Sequence, residues 1–352
     1  MKRKYNIGII PGDGIGRDVM RGAVMVLDTI NELTDEFNLD FLKMDIGEMA
    51  VKKFNTPFPE ETRKGIARMD TVLFGAVGSP YDFTVLTEIR SGFNLYANVR
   101  PIQALPDTNA IQPKADIILV RENTEGLYTG VGYIDRNHHV NLRIFTTKGM
   151  ERILRFCFNL AAAKGRRKVT FTHKASVLKY TDAPMKKMFY EIAAEYPDIE
   201  SEDAEIDACA MRIIMKPETL DVVFAENANG DILSDVGGGI IGGMGFTPSG
   251  NIGDSMAVFE PVHGSAPKHA DKNIVNPTAT IMAAKMMFDY LNETHTALRI
   301  EEALKAVLVE GKVRTYDIGG RSSTSEFAAA VCDKMRRNWT RSSGSGGDWP
   351  QS

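Results

Sequence analysis

Several scarcities in this 352-residue sequence exclude whole classes of function. The three cysteines, Cys157, Cys209 and Cys332, match no metal-binding spacing, so we expect reduced thiols and no disulfide framework. The six histidines form no HExxH motif, which argues against a zinc hydrolase of that type. Basic charge is not in excess, since the formal net charge is −4, and nucleic acid is therefore not an expected partner.

Long apolar segments are also missing. No run of about 18 apolar residues occurs, so the sequence predicts no membrane span and no membrane partner. The first ten residues, MKRKYNIGII, combine basic side chains with only a short apolar run, and we expect no secretory signal. The prediction is a cytoplasmic protein, long enough for two domains of ordinary size.

What is present is an alternation of strand-like and helix-like segments. Short apolar runs predict strands at residues 7–10, 71–74, 117–120, 169–172 and 222–225. Helical patterns lie between them, at residues 18–32, 149–163, 183–196 and 279–291. This alternation predicts an α/β fold in which helices cover a sheet.

Two further segments have their own character. Residues 128–146, YTGVGYIDRNHHVNLRIFT, alternate in polarity and contain turn residues at 135–138, which predicts an extended β arm. Pairing with a second subunit would cover the exposed edges of such an arm. The last segment, 341–352, is rich in glycine and serine, and we predict a disordered tail.

The stretch IGIIPGDGIGR resembles a dinucleotide-binding loop without satisfying its pattern. Gly12 and Gly14 fit the first two glycines of G-x-G-x-x-G, but the third position is Arg17. The third glycine allows close packing of helix and strand, and an arginine would prevent it. A tight strand-to-helix turn is the alternative interpretation.

The motif GDILSD places Asp231 and Asp235 four residues apart. On a helix, both carboxylates would project from one face and repel each other. A hard divalent cation such as Mg²⁺ or Mn²⁺ would give that pair a purpose. The alternative is that Asp231 caps the helix, which leaves Asp235 without an explanation.

Arginines form the second candidate group. Arg100 and Arg121 follow apolar runs, so we expect them at strand carboxyl ends, where ligands of open α/β sheets bind. Arg90 lies ten residues before Arg100. Guanidinium groups bind carboxylates in a bidentate manner, although a surface ion pair is the simpler explanation for any one arginine.

A third group lies in the loop EPVHGSAPKH, which glycine and proline hold in a fixed shape. His263 could stack on a flat ring, and Lys268 and His269 could contact a phosphate; a purely structural loop is the alternative. Lys174 and Tyr128 are candidate acid–base residues. A lysine close to the arginines and a cation would have a lowered pKa.

Eight motifs occur in one order: PGDGIG, LYANVRP, RENTEGLY, HKAS, GDILSD, PSGNIGD, EPVHGSAP and NPTA. In this order the chain resembles the metal-dependent β-decarboxylating dehydrogenases, which act on isocitrate, isopropylmalate, homoisocitrate and tartrate or malate. The resemblance covers residues 5–336, nearly the whole chain.

The resemblance implies an isopropylmalate-dehydrogenase-like α/β fold of two domains, which is not a Rossmann fold. A discontinuous cofactor-binding domain would comprise residues 1–99 and 256–340. Residues 100–255 would form a smaller dimerisation domain, whose β arm at 128–146 reaches the second subunit of a homodimer.

The resemblance also implies roles for the candidate residues. Substrate carboxylates would bind to Arg90, Arg100 and Arg121. Mg²⁺ or Mn²⁺ would bind to Asp231, Asp235 and the partner subunit's Asp207. The acid–base residues would be Tyr128 and the partner subunit's Lys174. Cofactor-binding residues would be His263, Gly264, Ser265, Ala266, Pro267, Lys268, His269, Asn276, Tyr316 and Arg321.

The residues after EPVHGSAP bear on the choice of cofactor. NAD-dependent members usually continue with Asp-Ile-Ala-Gly, whereas this chain has Lys268 and His269 at the first two positions. NADP-dependent bacterial isocitrate dehydrogenases have Lys-Tyr there, and Tyr316 resembles their second phosphate-contacting tyrosine. Arg321 is offset by one position from their arginine. We predict NADP as the preferred cofactor, with NAD as the alternative.

The segment before Arg90 bears on the substrate, because it reads the C3 substituent in this family. Isocitrate enzymes have Ser and Asn six and four positions earlier, where this chain has Thr84 and Leu86. Isopropylmalate enzymes have Leu at four and three before, and the latter is Thr87 here. Arginine, which homoisocitrate enzymes can use at three before, is absent.

This mixed pocket predicts a polar or anionic C3 group, as in isocitrate or homoisocitrate. The alternatives are 3-isopropylmalate and a specialised malate analogue, such as tartrate, malate or a phosphonate-bearing malate. A non-catalytic regulatory subunit is the alternative class of function. It would lack site residues, whereas all eight arginine, acid–base and metal-ligand candidates are present.

Overall fold

The computed structural model describes residues 2–339, and the predicted tail 341–352 lies outside the described residues. The strands are β1 (Arg3–Gly12), β2 (Phe37–Lys43), β3 (Thr71–Ala76), β4 (Ala97–Gln103), β5 (Asp116–Glu122), β6 (Gly132–Ile134), β7 (His139–Asn141), β8 (Lys168–His173), β9 (Glu200–Glu205), β10 (Val222–Ala225), β11 (Pro248–Ile252) and β12 (Ala257–Pro261). The helices are α1 (Gly16–Leu33), α2 (Gly47–Phe54), α3 (Glu60–Ile66), α4 (Asp82–Arg90), α5 (Thr147–Ala163), α6 (Asp182–Ala193), α7 (Ile206–Met215), α8 (Asn227–Ile240), α9 (Thr278–Tyr290), α10 (Thr294–Glu310) and α11 (Thr324–Asn338).

Ten strands form one sheet in the order β2-β1-β3-β12-β11-β4-β5-β10-β8-β9. Neighbours pair in parallel except around β11 and β4, where three successive pairs are antiparallel. Each of the five apolar runs lies within a strand, because a sheet covered on both faces requires continuous apolar segments. The four expected helices are also present, with ends that differ from the expected ones by at most three residues. The α/β prediction is therefore confirmed.

The sheet is continuous across the two proposed domains, since β11 of the segment 100–255 pairs with β12 of the segment 256–340. The domain boundaries stay a prediction. Within residues 2–339, no helix is long and apolar enough to cross a membrane. The three cysteines are buried and free.

The glycine-rich turn after β1 is a tight strand-to-helix connection. Gly12 and Gly14 have φ angles of +70° and +56°, a region that favours glycine. The amide of Ile15 donates to the Ser265 carbonyl at 2.8 Å. A Cβ on Gly14 would lie 2.0 Å from that same oxygen. The turn is thereby docked on the EPVHGSAP loop.

The β arm is a short antiparallel hairpin of β6 and β7. Its turn is held by Asp135, whose amide donates to the His138 carbonyl and whose carboxylate accepts from the Asn137 and His138 amides. Tyr133 and Ile134 are 56% and 76% exposed on β6. The hairpin lies within the predicted segment 128–146, although a 3-10 turn, Leu127–Thr129, and not a strand begins that segment. The pairing of the arm with a second subunit stays a prediction.

Candidate active site

Arg100 and Arg121 lie on the neighbouring strands β4 and β5, and only 4% and 1% of their surfaces are exposed. Arg121 is near the carboxyl end of β5, as expected. The same expectation is wrong for Arg100, which lies in the middle of β4. In the antiparallel β4–β5 pair, Asn98 is opposite Arg121 and Arg100 is opposite Leu119, so the two arginines are diagonal neighbours on one face of the sheet. The two guanidinium groups therefore converge.

Asp231 is the point of convergence. Its carboxylate accepts hydrogen bonds from Arg121, from Arg100 at 3.2 Å and from the Tyr128 hydroxyl at 2.9 Å. Gly230 permits this close approach, because a Cβ there would lie 2.8 Å from the Cβ of Arg121. Four side chains singled out from the sequence thus meet at one position.

Asp231 does not cap its helix. The cap of α8 is Glu226, whose carboxylate accepts from the amides of Ala228 and Asn229 at 3.1 and 2.8 Å. The capping alternative is therefore wrong, because the helix begins five residues earlier than a cap at Asp231 would place it. Asp231 is consequently free to face the arginines.

Asp235 lies one helical turn after Asp231 in α8. No hydrogen bond or ion pair within the described part of the chain reaches its carboxylate. Burial, and then the charge of Asp231, raises the pKa of Asp235. Burial also raises the pKa of Asp231, but Arg121 and Arg100 outweigh it and hold that pKa below its usual value. The pair supplies two hard oxygen donors on one helix face, which fit a divalent cation.

Arg90, the last residue of α4, donates to Glu260 at 3.2 Å, and its buried Nε has no partner among the described residues. Glu260 also accepts from Asn251 at 2.8 Å. Asn98 accepts from Arg100 at 2.7 Å and donates to Asn251 at 2.6 Å, which links the two arginines. We had overlooked both asparagines, although each lies within a quoted motif, LYANVRP or PSGNIGD.

Burial lowers the pKa of both buried arginines. For Arg100, burial is the largest cause. For Arg121, burial and the neighbouring positive charges of Arg100 and Arg90 lower the pKa to about 9. The pKa of the Tyr128 hydroxyl, in contrast, is raised by burial. The site therefore combines three arginines, three carboxylates (Asp231, Asp235 and Glu260) and the Tyr128 phenol.

Lys174 and Asp207 contact each other and not the residues around Asp231. Lys174 forms ion pairs with Asp207 at 2.7 Å and Glu205 at 3.0 Å, and these raise its pKa. The expected lowering is wrong for a single chain, because the lysine contacts carboxylates and not arginines. Within residues 2–339, no three His, Cys, Asp or Glu side chains form a metal-holding group, so Asp207 does not join Asp231 and Asp235.

The loop after β12 carries the candidate cofactor residues. His263 contacts the Gly264 carbonyl through Nδ1 at 3.0 Å, whereas its buried Nε2 has no partner in the described structure. A Cβ on Gly264 would meet nothing within 4 Å. His269 stacks on Tyr316 with ring centroids 6.0 Å apart. The unpartnered imidazole nitrogen of His263 and the open position at Gly264 are compatible with the cofactor role, which stays a prediction.

The remaining candidate cofactor-binding residues differ in their exposure to solvent. Asn276 is buried and donates to Asp317 at 2.9 Å. Ser265 is half-buried and anchors the opening turn through its carbonyl. Ala266, Pro267, Lys268 and Arg321 are exposed.

Helix α4 packs Val85 and Ile89 into a hydrophobic cluster. Arg90 shares the opposite side with Thr87, three positions earlier, and with Phe83, seven positions earlier. Phe83 is 56% exposed, and we had overlooked it, although its helical spacing from Arg90 is visible in the sequence.

The other two candidates of α4 have different environments. Leu86 is half-buried and packs against the same hydrophobic cluster as the helix core. Thr84 is exposed, but it lies to one side of the face that carries Arg90, since it is six positions earlier.

Residues 6–331 match the family model described as isocitrate/isopropylmalate dehydrogenase. The chain is 43% identical to 3-isopropylmalate dehydrogenase of Methanothermobacter thermautotrophicus, over 94% of this chain and 98% of the relative. It is 44% identical to 3-isopropylmalate/3-methylmalate dehydrogenase of Methanocaldococcus jannaschii, over 94% and 99%. The crystal structure of isocitrate dehydrogenase from Methylococcus capsulatus has a TM-score of 0.89 and 39% identity, over 94% of this chain and 99% of that one. The chain therefore belongs to the isocitrate/isopropylmalate dehydrogenase family, the NAD(P)- and metal-dependent decarboxylating dehydrogenases of 3-substituted malates.

Proposed function

We propose that this enzyme oxidises and decarboxylates a malate whose C3 substituent is apolar, of the 3-isopropylmalate type. The observation that carries this choice is the face of α4 that includes Arg90, where an exposed Phe83 precedes a single hydroxyl, that of Thr87. The helix contains two carboxylates, Asp82 and Glu88, and no cation before Arg90. Apart from Arg90, which is assigned to the carboxylates of the malate core, this helix would offer an anionic C3 group no opposite charge.

Isocitrate or homoisocitrate is the second candidate. It is favoured by the two exposed hydroxyls of Thr84 and Thr87, which can donate hydrogen bonds to a carboxylate. The two candidates differ in the property of the C3 group, and a direct comparison of substrates separates them.

In the proposed reaction, Arg90, Arg100 and Arg121 bind and orient the substrate carboxylates. Arg90 is suited to this role because its buried Nε still lacks an acceptor. Asp231 and Asp235, with the partner subunit's Asp207, would hold Mg²⁺ or Mn²⁺. When bound, the nicotinamide accepts hydride from C2, and the cation stabilises the negative charge that develops on oxygen.

Two side chains would move protons. The partner subunit's Lys174 takes the proton of the C2 hydroxyl, and Tyr128 protonates the substrate carbon after CO₂ is lost. The raised pKa of Tyr128 keeps its hydroxyl protonated near neutral pH, which suits a proton donor. Its 2.9 Å hydrogen bond to Asp231 orients that hydroxyl within the site.

A homodimer with shared active sites is supported by the surface of α7. Asp207, Met211 and Met215 recur at four-residue spacing and so lie on one helix face. Both methionines are exposed, so the face of α7 that carries Asp207 also presents an apolar surface. A second copy that covers this face would bury the methionines and take Asp207 with them into the interface.

A panel of 3-substituted malates tests the proposal, with NAD or NADP and Mg²⁺ or Mn²⁺. We expect kcat/KM for 3-isopropylmalate or another 3-alkylmalate to exceed that for isocitrate and homoisocitrate by at least about tenfold. Phe83→Ser should reduce the 3-isopropylmalate value by about tenfold, because an apolar contact is lost. Phe41→Ser, which makes the same change at an exposed phenylalanine of β2, is the matched control. A preference for isocitrate or homoisocitrate would contradict the apolar substituent.

For the cofactor, we propose NADP, read by Lys268, His269 and Tyr316. Lys268→Asp should lower the ratio of kcat/KM for NADP to that for NAD by about tenfold or more, because a carboxylate repels the 2′-phosphate. Lys272→Asp introduces the same charge change four residues later and is the control. An unchanged ratio in the Lys268 variant would argue for NAD as the cofactor.

A further inference from the structure

The loop of residues 263–276 is fastened to two helices. On one side, the side chain of Asn273 donates to the Ser325 hydroxyl at 2.8 Å and accepts from the Ser325 amide at 3.1 Å, at the start of α11. On the other side, Arg17 in the first turn of α1 donates to both carboxylate oxygens of Asp271, through Nε at 3.2 Å and Nη2 at 2.7 Å. The arginine that breaks the glycine pattern thus reaches the cofactor loop, 254 residues later.

Asp271 is the negative charge of this part of the loop, and it follows Lys268 by only three residues. The hydrogen bond from Arg17 holds the pKa of its carboxyl below the usual value, so the group is ionised at neutral pH. An unpaired carboxylate here would repel a phosphate dianion bound by Lys268 and His269. Paired with a guanidinium in bidentate geometry, it contributes almost no net charge.

We propose that Arg17 is a positioning residue that makes the loop compatible with a 2′-phosphorylated dinucleotide. It holds the backbone around Asp271 in place and cancels the charge of that carboxylate. This inference rests on the proposed use of NADP. The pair is exposed, so its effect on folding stability is small, whereas its effect on an anionic ligand is direct.

The test measures the dissociation constants of NADPH and NADH by fluorescence titration of the intact protein. Arg17→Met should weaken NADPH binding about fivefold more than NADH binding, because it exposes the Asp271 charge to the phosphate. Asp271→Asn should leave the selectivity ratio at the wild-type value or raise it. The double variant should recover the ratio that Arg17→Met loses, since the carboxylate is then gone.

Arg155→Met is the matched control, because Arg155 of α5 forms the same kind of bidentate pair with Glu195. Hydrogen exchange of the ligand-free protein gives a second measurement, and residues 264–271 should exchange faster in both Arg17→Met and Asp271→Asn. Equal losses for NADPH and NADH in Arg17→Met would reduce the arginine to a structural contact and overturn the proposal. A wild-type protein that binds neither dinucleotide would overturn the proposed function together with this inference.

Discussion

Asp231→Asn should lower kcat/KM by at least about 1,000-fold at any concentration of Mg²⁺ or Mn²⁺. Asp231 accepts from Arg100, Arg121 and Tyr128 and forms one half of the carboxylate pair. Asparagine keeps the shape but supplies only one neutral oxygen, a poor ligand for a hard cation. It also leaves two buried guanidinium groups facing each other with no carboxylate between them.

Steady-state kinetics across a Mn²⁺ titration measure this effect, with circular dichroism and thermal unfolding to establish that the variant is folded. Asp198→Asn, which makes the same chemical change at an exposed position, should behave as wild type. Activity of the Asp231 variant within tenfold of wild type, at an unchanged Mn²⁺ requirement, would rule out the metal assignment. Loss of folding alone would be visible in the unfolding curve.

The local pattern of the sequence is sufficient for the elements around this site. Continuous apolar runs predict β5 and β10, because a covered parallel sheet leaves no polar face. The arm turn at 135–138 follows from residues that bond within four positions. Such features depend on contacts between residues that are close in the sequence, so the local sequence is enough to predict them.

Features that depend on pairing between distant strands are harder to predict from the sequence. The position of Arg100 follows from the antiparallel insertion of β4 and β11, which no local pattern announces. The capping alternative for Asp231 is hard to exclude from sequence for a different reason, because Glu226 and Asp231 are both plausible caps and only the start of the helix decides between them. The Arg17–Asp271 pair joins residues with no common motif, so chemistry alone could not match them.

The pKa of Lys174 depends on which subunits surround it. Its raised value results from Asp207 and Glu205 of the same chain, and the expected lowering required arginines and a cation beside it. In a single chain, the charges next to this lysine are therefore the surface carboxylates of that same chain. The four-residue spacing of Asp207, Met211 and Met215 is visible in the sequence and points to the partner that would change them.

Subunit complementation should therefore restore activity from two inactive variants. If the partner subunit supplies Lys174, a heterodimer of Lys174→Met and Asp231→Asn chains contains one site with every residue intact and one site with both defects. We expect each homodimer below about 1% of wild-type activity and the purified heterodimer at about half, since one of two sites functions. Co-expression with two affinity tags and sequential purification supplies the heterodimer.

A matched heterodimer of Tyr128→Phe and Asp231→Asn chains is the control. Both residues belong to the same half of the site, and their side chains are in contact. Neither site of that heterodimer is intact, so its activity should not exceed the mean of the two homodimers. If the Lys174→Met and Asp231→Asn heterodimer also fails to exceed that mean, Lys174 acts within its own chain. The ion pair with Asp207 would then have to open for the lysine to approach Arg121 and Tyr128, a rearrangement that the shared site does not require.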